Sequence, residues 1–130
     1  AVLALASGEP LEPWMDGVLQ RAHERPYETG ILQLAAAMLR AEGDSQQAED
    51  YLITELRWRP ANISARLELR DIYREQGRLV DAVKVLRPLH HLQPDQPVWS
   101  AYTARDYLDM NRPDLAEPHR QVCSGHPDCP

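Results

Sequence analysis

The sequence predicts an all-α fold in which antiparallel helix pairs follow one another as repeats, and three columns of residues predict it. Prolines recur every 34 residues, at Pro26, Pro60 and Pro94. Alanines keep the same interval, at Ala48, Ala82 and Ala116. A third column holds residues that tolerate the left-handed conformation in which helices end: Gly43, Gly77 and Asn111. A fixed interval of this length is the signature of a helical repeat array.

The middle unit shows why each repeat is predicted to contain two helices. Its first segment places apolar side chains along one helical stripe, at Ile63, Leu67, Leu69, Ile72 and Tyr73. Asn62 precedes this stripe as an N-cap, and Gly77 ends it. A second stripe follows at Leu79, Ala82, Val83, Leu86 and Leu89. In the previous unit, Asp44 with Gln47 three residues later predicts a capping box at a helix start.

The order Leu69, Tyr73, Gly77, Ala82, Leu86 and Pro94 resembles the tetratricopeptide repeat (TPR). The resemblance implies a right-handed TPR-like solenoid of stacked antiparallel helix pairs. Three repeats match, at residues 29–62, 63–96 and 97–130, and residues 1–28 are similar to the later part of another repeat. We therefore expect residues 1–130 to form a single repeat domain within a longer protein.

The N-terminal residues have two interpretations. Ala4, Leu5 and Ala6 could end a signal peptide, although the basic leader is missing. The alignment of residues 1–26 with residues 35–60 favours the tail of a helix instead. Such a helix would leave Leu3, Leu5 and Trp14 to be covered by another repeat, a partner or self-association.

Composition excludes several function classes. The net charge of −6 argues against a nucleic-acid-binding protein, because that affinity depends on excess positive charge. No apolar stretch approaches the roughly 20 residues of a membrane-spanning helix, so direct membrane insertion is not expected. The sequence contains no glycine-rich phosphate loop, HExxH or GxSxG motif, and we expect no catalysis and no cofactor. Lys84 is the only lysine among the 14 basic residues, a skew typical of GC-rich bacterial genomes.

The resemblance also implies a binding surface, because the first helix of each TPR lines a concave groove. The groove residues implied for this chain are Arg40, Glu68, Asp71, Arg74, Tyr102, Arg105 and Asp109. Arginine and tyrosine are enriched at binding hot spots, although these charges could equally pair with one another across helices. Some TPR proteins hold a terminal carboxylate with a lysine/asparagine clamp. The matching positions here hold Gln33, Ala37, Glu68, Val98 and Tyr102, so that clamp is absent.

Arg70 departs from the repeat, because it occupies a column filled by Ala36 and Ala104. Two helices should approach closely at this column. We expect the long side chain of Arg70 to reach solvent or to pair with a nearby acid such as Asp71 or Glu75.

The last twelve residues, HRQVCSGHPDCP, contain the only two cysteines of the chain. Cys123 and Cys129 could form a disulfide, remain free thiols, or bind a metal together with His119 and His126. We expect no metal, because the spacing matches no standard zinc module. A disulfide would predict an oxidising compartment such as a periplasm, and free thiols a cytoplasmic protein.

Together these observations predict a non-catalytic scaffold that binds a partner peptide or protein through its groove, within a larger bacterial assembly. Two alternatives stay open at this point. One is a structural spacer or oligomerisation element with no groove ligand, and the other is a metal or redox function of the cysteine- and histidine-containing tail.

Overall fold

Helices account for all the regular secondary structure in residues 12–130, the part of the chain that a computed structural model describes. Predictions for Leu3, Leu5 and the rest of residues 1–11 lie outside that part. The helices are α1 (Glu12–Glu24), α2 (Ile31–Ala41), α3 (Ser45–Trp58), α4 (Ile63–Glu75), α5 (Leu79–Leu92), α6 (Pro97–Asp109) and α7 (Pro113–Cys123). The predicted all-α class is confirmed. None of these helices is both long and apolar enough to cross a membrane.

Two helices begin at the capping residues that the sequence predicts. Asp44 Oδ1 accepts a hydrogen bond from the backbone N–H of Gln47 at 3.1 Å, and the side-chain amide of Gln47 donates to Asp44 Oδ2 at 2.7 Å. Asn62 Oδ1 accepts from the N–H of Ala65 at 3.1 Å. These oxygens satisfy N–H groups that have no partner inside the first turn, so they define where α3 and α4 start.

Three helices end in the same way, which explains the repeat column of Gly43, Gly77 and Asn111. After α2, Gly43 adopts a φ of 85°, and its N–H donates to Arg40 O at 3.0 Å. The next N–H, that of Asp44, donates to Leu39 O at 2.8 Å, completing a Schellman motif. Gly77 and Asn111 repeat this conformation after α4 and α6, with φ values of 73° and 58°.

The chain divides into two compact units, residues 1–65 and 66–130. In the first unit α1 packs against α2, and α2 packs against α3. Four buried residues form a core cluster there: Ala22, Ile31, Leu32 and Ala35. In the second unit α5 packs against α6, and α6 against α7. The alanine column is fully buried in both units, so a methyl group sets the spacing of the helices at each of its positions.

A pair of identical substitutions tests the helix-end geometry. Gly43→Ala should lower the free energy of unfolding by about 1–2 kcal/mol, because alanine is strained at positive φ. Gly17→Ala, in the interior of α1, should raise it by about 0.5–1 kcal/mol, because alanine favours the helix. An added Cβ meets no atom within 4 Å at either position, so only backbone conformation differs. Urea unfolding measures both changes, and equal effects would contradict the interpretation.

Candidate functional site

A buried carboxylate, that of Asp106 on α6, joins two arginines of α4. Asp106 has no exposed surface. Arg70 contacts it with both prongs of its guanidinium, Nη2 to Oδ1 at 2.7 Å and Nε to Oδ2 at 3.1 Å. Arg74 Nη1 also donates to Asp106 Oδ1, and Arg74 Nη2 donates to Asp109 Oδ2 at 2.6 Å. Two-pronged arginine–carboxylate pairs fix both distance and orientation, so this cluster holds α4 and α6 in one register.

The pair arises from two departures from the repeat that complement each other. Arg70 replaces an alanine of its column, and Asp106 stands where the earlier repeats have Met38 and Ile72. Arg70 does pair with an acid, as one of the two predicted alternatives has it, but the acid is Asp106 rather than Asp71 or Glu75. Its guanidinium reaches across to the next helix pair, because a buried arginine needs a buried acid and Asp106 is the one that faces it.

Tyr102 completes the arginine cluster from the side of α6. The guanidinium carbon of Arg70 lies 4.8 Å from the centre of the Tyr102 ring, a cation–π distance. The ring of Trp99 contacts Tyr102 edge-on at 6.0 Å between centroids, and its indole N–H donates to Gln93 Oε1 at 3.2 Å. Tyr102 is thus held in place by its neighbours and remains half-exposed.

An open pocket of about 510 Å³ lies over this cluster. Its helical wall consists of Arg70, Arg74, Tyr102 and Arg105, and its other wall is Pro127, Asp128 and Cys129. Arg105 is exposed and makes no hydrogen bond or ion pair with the described residues. The pocket therefore offers one uncommitted guanidinium beside an aromatic ring, a combination suited to a carboxylate or another polar group on an apolar stem.

The seven groove residues predicted from the sequence have different surroundings. Arg74, Tyr102 and Arg105 line the pocket, and Asp109 binds Arg74. Asp71 is exposed on α4, whereas Glu68 on the same helix is half-buried. Arg40 is half-buried on α2, in the first unit. Arg74 and Asp109 thus pair with each other across helices, which is the alternative that the sequence left open for the groove charges.

Sequence reasoning missed three members of this site: Arg70 as a lining residue, Asp106 as its partner, and Asp128 on the opposite wall. The signal for the first two was present. Arg70 is a cation in a column of small residues, and Asp106 is an acid in an apolar column of the following repeat. Such a combination predicts that the two side chains pair, because neither charge can be buried without the other.

The opposite wall is held by a disulfide between Cys123 and Cys129. Cys123 ends α7 and is fully buried, whereas Cys129 is half-buried at the pocket. Residues 124–130, which we call the cysteine segment, therefore fold back from the core onto the pocket rim. Both sulfurs are used in the bond, and no group of three or more metal-binding side chains occurs in residues 12–130.

His119, the first residue of the tail motif, packs against aromatic side chains of the two preceding helices. Its ring lies 5.5 Å from that of His90 and 5.8 Å from that of Tyr107. His90 Nε2 lies 3.3 Å from Thr103 Oγ1. Burial lowers the pKa of both imidazoles, and the neighbouring charges of His119 and His91 lower the pKa of His90 further. The two rings therefore favour the neutral state inside the fold.

Comparisons with known proteins agree with the repeat geometry. A family model described as tetratricopeptide repeat matches residues 39–105. The solved structures titled MamA AMB-1 P212121 and MamA MSR-1 C2 superpose with TM-scores of 0.76 and 0.69, at 17% and 16% identity. The first alignment covers 95% of this chain and 68% of the MamA chain. The second covers 87% of this chain and 65% of the MamA chain, so this chain spans just under two thirds of that structure. MamA is a TPR-containing protein, and identities this low show the fold alone.

A search of curated proteins finds no significant match. The fold class predicted from the sequence, helix pairs of the tetratricopeptide type, is confirmed by the family model and these structures.

Removing the buried carboxylate tests its role in the fold. Asp106→Ala should lower the free energy of unfolding by about 3–5 kcal/mol, because it leaves the buried guanidinium of Arg70 without its counter-charge. The double variant Arg70→Ala/Asp106→Ile restores the residue types of the other repeats, and it should recover most of this loss. Urea unfolding of the wild type, the two single variants Arg70→Ala and Asp106→Ile, and the double variant gives the coupling energy. Additive losses would contradict the pairing.

Acidification tests the histidine cluster. Below the ordinary imidazole pKa of 6.5, His90 and His119 take up protons in the unfolded chain but stay neutral in the folded chain, where their pKa values are lowered. The free energy of unfolding should therefore stay level above pH 6.5 and fall as the pH drops from there toward the depressed folded pKa values. Arg87 and Tyr107 lie around the two rings, and His91 adds its charge next to His90. Among the residues that the structure describes, no carboxylate lines the small pocket between the rings.

The measurement is the melting temperature between about pH 7.5 and 5.0. His119→Gln should reduce the fall on acidification, because it removes one of the two rings that resist protonation. The control His23→Gln changes an exposed residue of α1 and should leave the fall unchanged. An identical pH profile for wild type and His119→Gln would exclude the cluster as the cause.

Proposed function

The chain belongs to the tetratricopeptide repeat family, and we propose that it is a non-catalytic interaction module that binds an acidic segment of a partner protein at the pocket of the second unit. Protein interaction is the general role of the family. The single observation that carries the finer proposal is Arg105, an exposed guanidinium without a partner in the described chain, next to the immobilised ring of Tyr102.

The charges around the pocket support an acidic partner. Asp106 and Asp109 already engage Arg70 and Arg74, so these two arginines have their counter-charges within the fold. Arg105 is the cation that remains available. A carboxylate from a partner would gain a charge-assisted hydrogen bond there without separating an existing ion pair, whereas a lysine of a partner would be repelled.

The wider setting is part of the same proposal. The disulfide supports an oxidising compartment, such as a periplasm, as the place where the module folds. A larger bacterial assembly would supply the partner, and the exposed Trp14 supports a further contact of the first unit with another repeat or a second copy.

A charge reversal at Arg105 tests the binding site. The probe is a fluorescein-labelled polyglutamate peptide of roughly eight residues, with the matching polyglutamine peptide as a control ligand. Arg105→Glu should weaken polyglutamate binding by about tenfold or more, which is the value of one charge-assisted hydrogen bond. Fluorescence anisotropy at low ionic strength measures the dissociation constants of the disulfide-bonded and reduced proteins.

The matched control is Lys84→Glu, the same change in charge at an exposed position of α5. It should alter the dissociation constant by less than about twofold, because its distance from the peptide allows salt and water to screen the charge. Arg74 is unsuitable for this test, because its reversal would break the contacts with Asp106 and Asp109. Equal binding of both peptides, or no binding in either redox form, would favour the structural spacer.

A further inference from the structure

We propose that the Cys123–Cys129 disulfide is a redox-controlled latch that keeps the cysteine segment against the pocket, and that its reduction opens the pocket to an acidic partner. This inference rests on the proposed binding function, since it concerns the regulation of that same site. One end of the cysteine segment is anchored in the core, and the other end forms a wall of the binding pocket.

The anchoring end is firm. Cys123 is fully buried at the end of α7, in the column occupied by the fully buried Leu89 of the previous repeat. The disulfide therefore ties Cys129 to a point that does not move unless α7 itself unpacks. Cys129 lies six residues further on and is half-buried at the rim of the pocket, where a reductant can reach it.

The other attachments of the cysteine segment are local and exposed. The N–H of His126 donates to Cys123 O at 2.8 Å, and that of Cys129 donates to His126 O at 3.0 Å. The exposed side chain of Arg120 donates from Nε to Pro130 O at 3.1 Å. Such bonds exchange readily with water, so the disulfide is the contact that keeps the segment at the pocket.

The segment opposes an acidic ligand in two ways. Pro127 and Cys129 occupy space at the mouth of the pocket. Asp128 adds a carboxylate to the same pocket that Arg105 lines, and this charge repels the group that the arginine would bind. Release of the segment removes both obstacles together, so that a ligand carboxylate meets Arg105 and Tyr102 with less steric and electrostatic opposition.

The chemistry of opening is thiol–disulfide exchange with a dithiol reductant. One thiolate of the dithiol attacks Cys129 Sγ, and the sulfur of Cys123 leaves with the electron pair and takes up a proton. The second thiol of the reductant then displaces Cys129, which also becomes a thiol. The protein gains two electrons and two protons, and the dithiol becomes a disulfide.

Hydrogen exchange tests the opening without any ligand. Amide exchange in residues 124–130 should rise at least about tenfold when dithiothreitol reduces the wild-type protein, while the core of α7 stays protected. Cys129→Ser, which leaves the buried Cys123 in place, should exchange fast with or without dithiothreitol. Circular dichroism checks that α7 remains folded. Unchanged exchange on reduction would overturn the latch.

The polyglutamate peptide tests the control of binding. Reduced wild type and Cys129→Ser should bind it at least about threefold more tightly than oxidised wild type, and dithiothreitol should leave the variant unchanged. Oxidised Asp128→Asn should bind with intermediate affinity. The control Asp95→Asn removes an exposed charge in the loop before α6 and should have no effect.

The outcomes separate the two proposals. Equal affinities of the oxidised and reduced wild-type protein would overturn the latch and leave the binding site intact. An absence of polyglutamate binding in both redox forms would overturn the proposed function, and with it any control of that function. A gain that Cys129→Ser does not reproduce would place the redox effect outside the disulfide and overturn the latch.

Discussion

Asp106 has no exposed surface, so its negative charge is stable in the fold only because two guanidinium groups donate hydrogen bonds to it. Removal of a carboxylate from water costs several kcal/mol, which only close counter-charges can offset. The interaction therefore dictates the positions of Arg70 and Arg74 on α4 relative to α6. The rest of the pocket follows, because Tyr102 stacks on Arg70 and Arg105 lies on the same helix as Asp106.

This arrangement divides the arginines into structural and available ones. Arg74 resembles a binding residue in the sequence, and Arg70, which sequence reasoning missed, also lines the pocket. Their charges are used within the protein, so among the described residues that line the pocket only Arg105 is left to meet a ligand. A hot spot on such a surface depends on which cations the fold has not already neutralised, and composition alone does not reveal this.

The last repeat combines the binding surface with a covalent connection. Cys123 occupies a core position and serves as an anchor, while Cys129 brings Pro127 and Asp128 to the pocket rim. The cysteine segment is thus a wall of the pocket and is also bonded to a residue of the core. This coupling makes the state of one bond relevant to the site, in keeping with the low local stability expected of a surface loop.

The helices, their caps and the repeat columns could all be predicted from the sequence. These features depend on residues within a few positions of one another: Asp44 bonds to Gln47, Asn62 to Ala65, and Gly43 allows the chain to leave α2. Local hydrogen bonds and backbone strain act in the same way however the helices pack. Residues that serve these local roles therefore recur every 34 residues and can be recognised in the sequence.

The tertiary structure alone decided which distant side chains meet. Arg70 and Asp106 are 36 residues apart, and the rings of His90 and His119 come together only when α5 and α7 both pack around α6. The sequence left the state of Cys123 and Cys129 open, because three chemistries suit that spacing. Burial energies select among such possibilities, and burial depends on how the helices pack, which no single segment encodes.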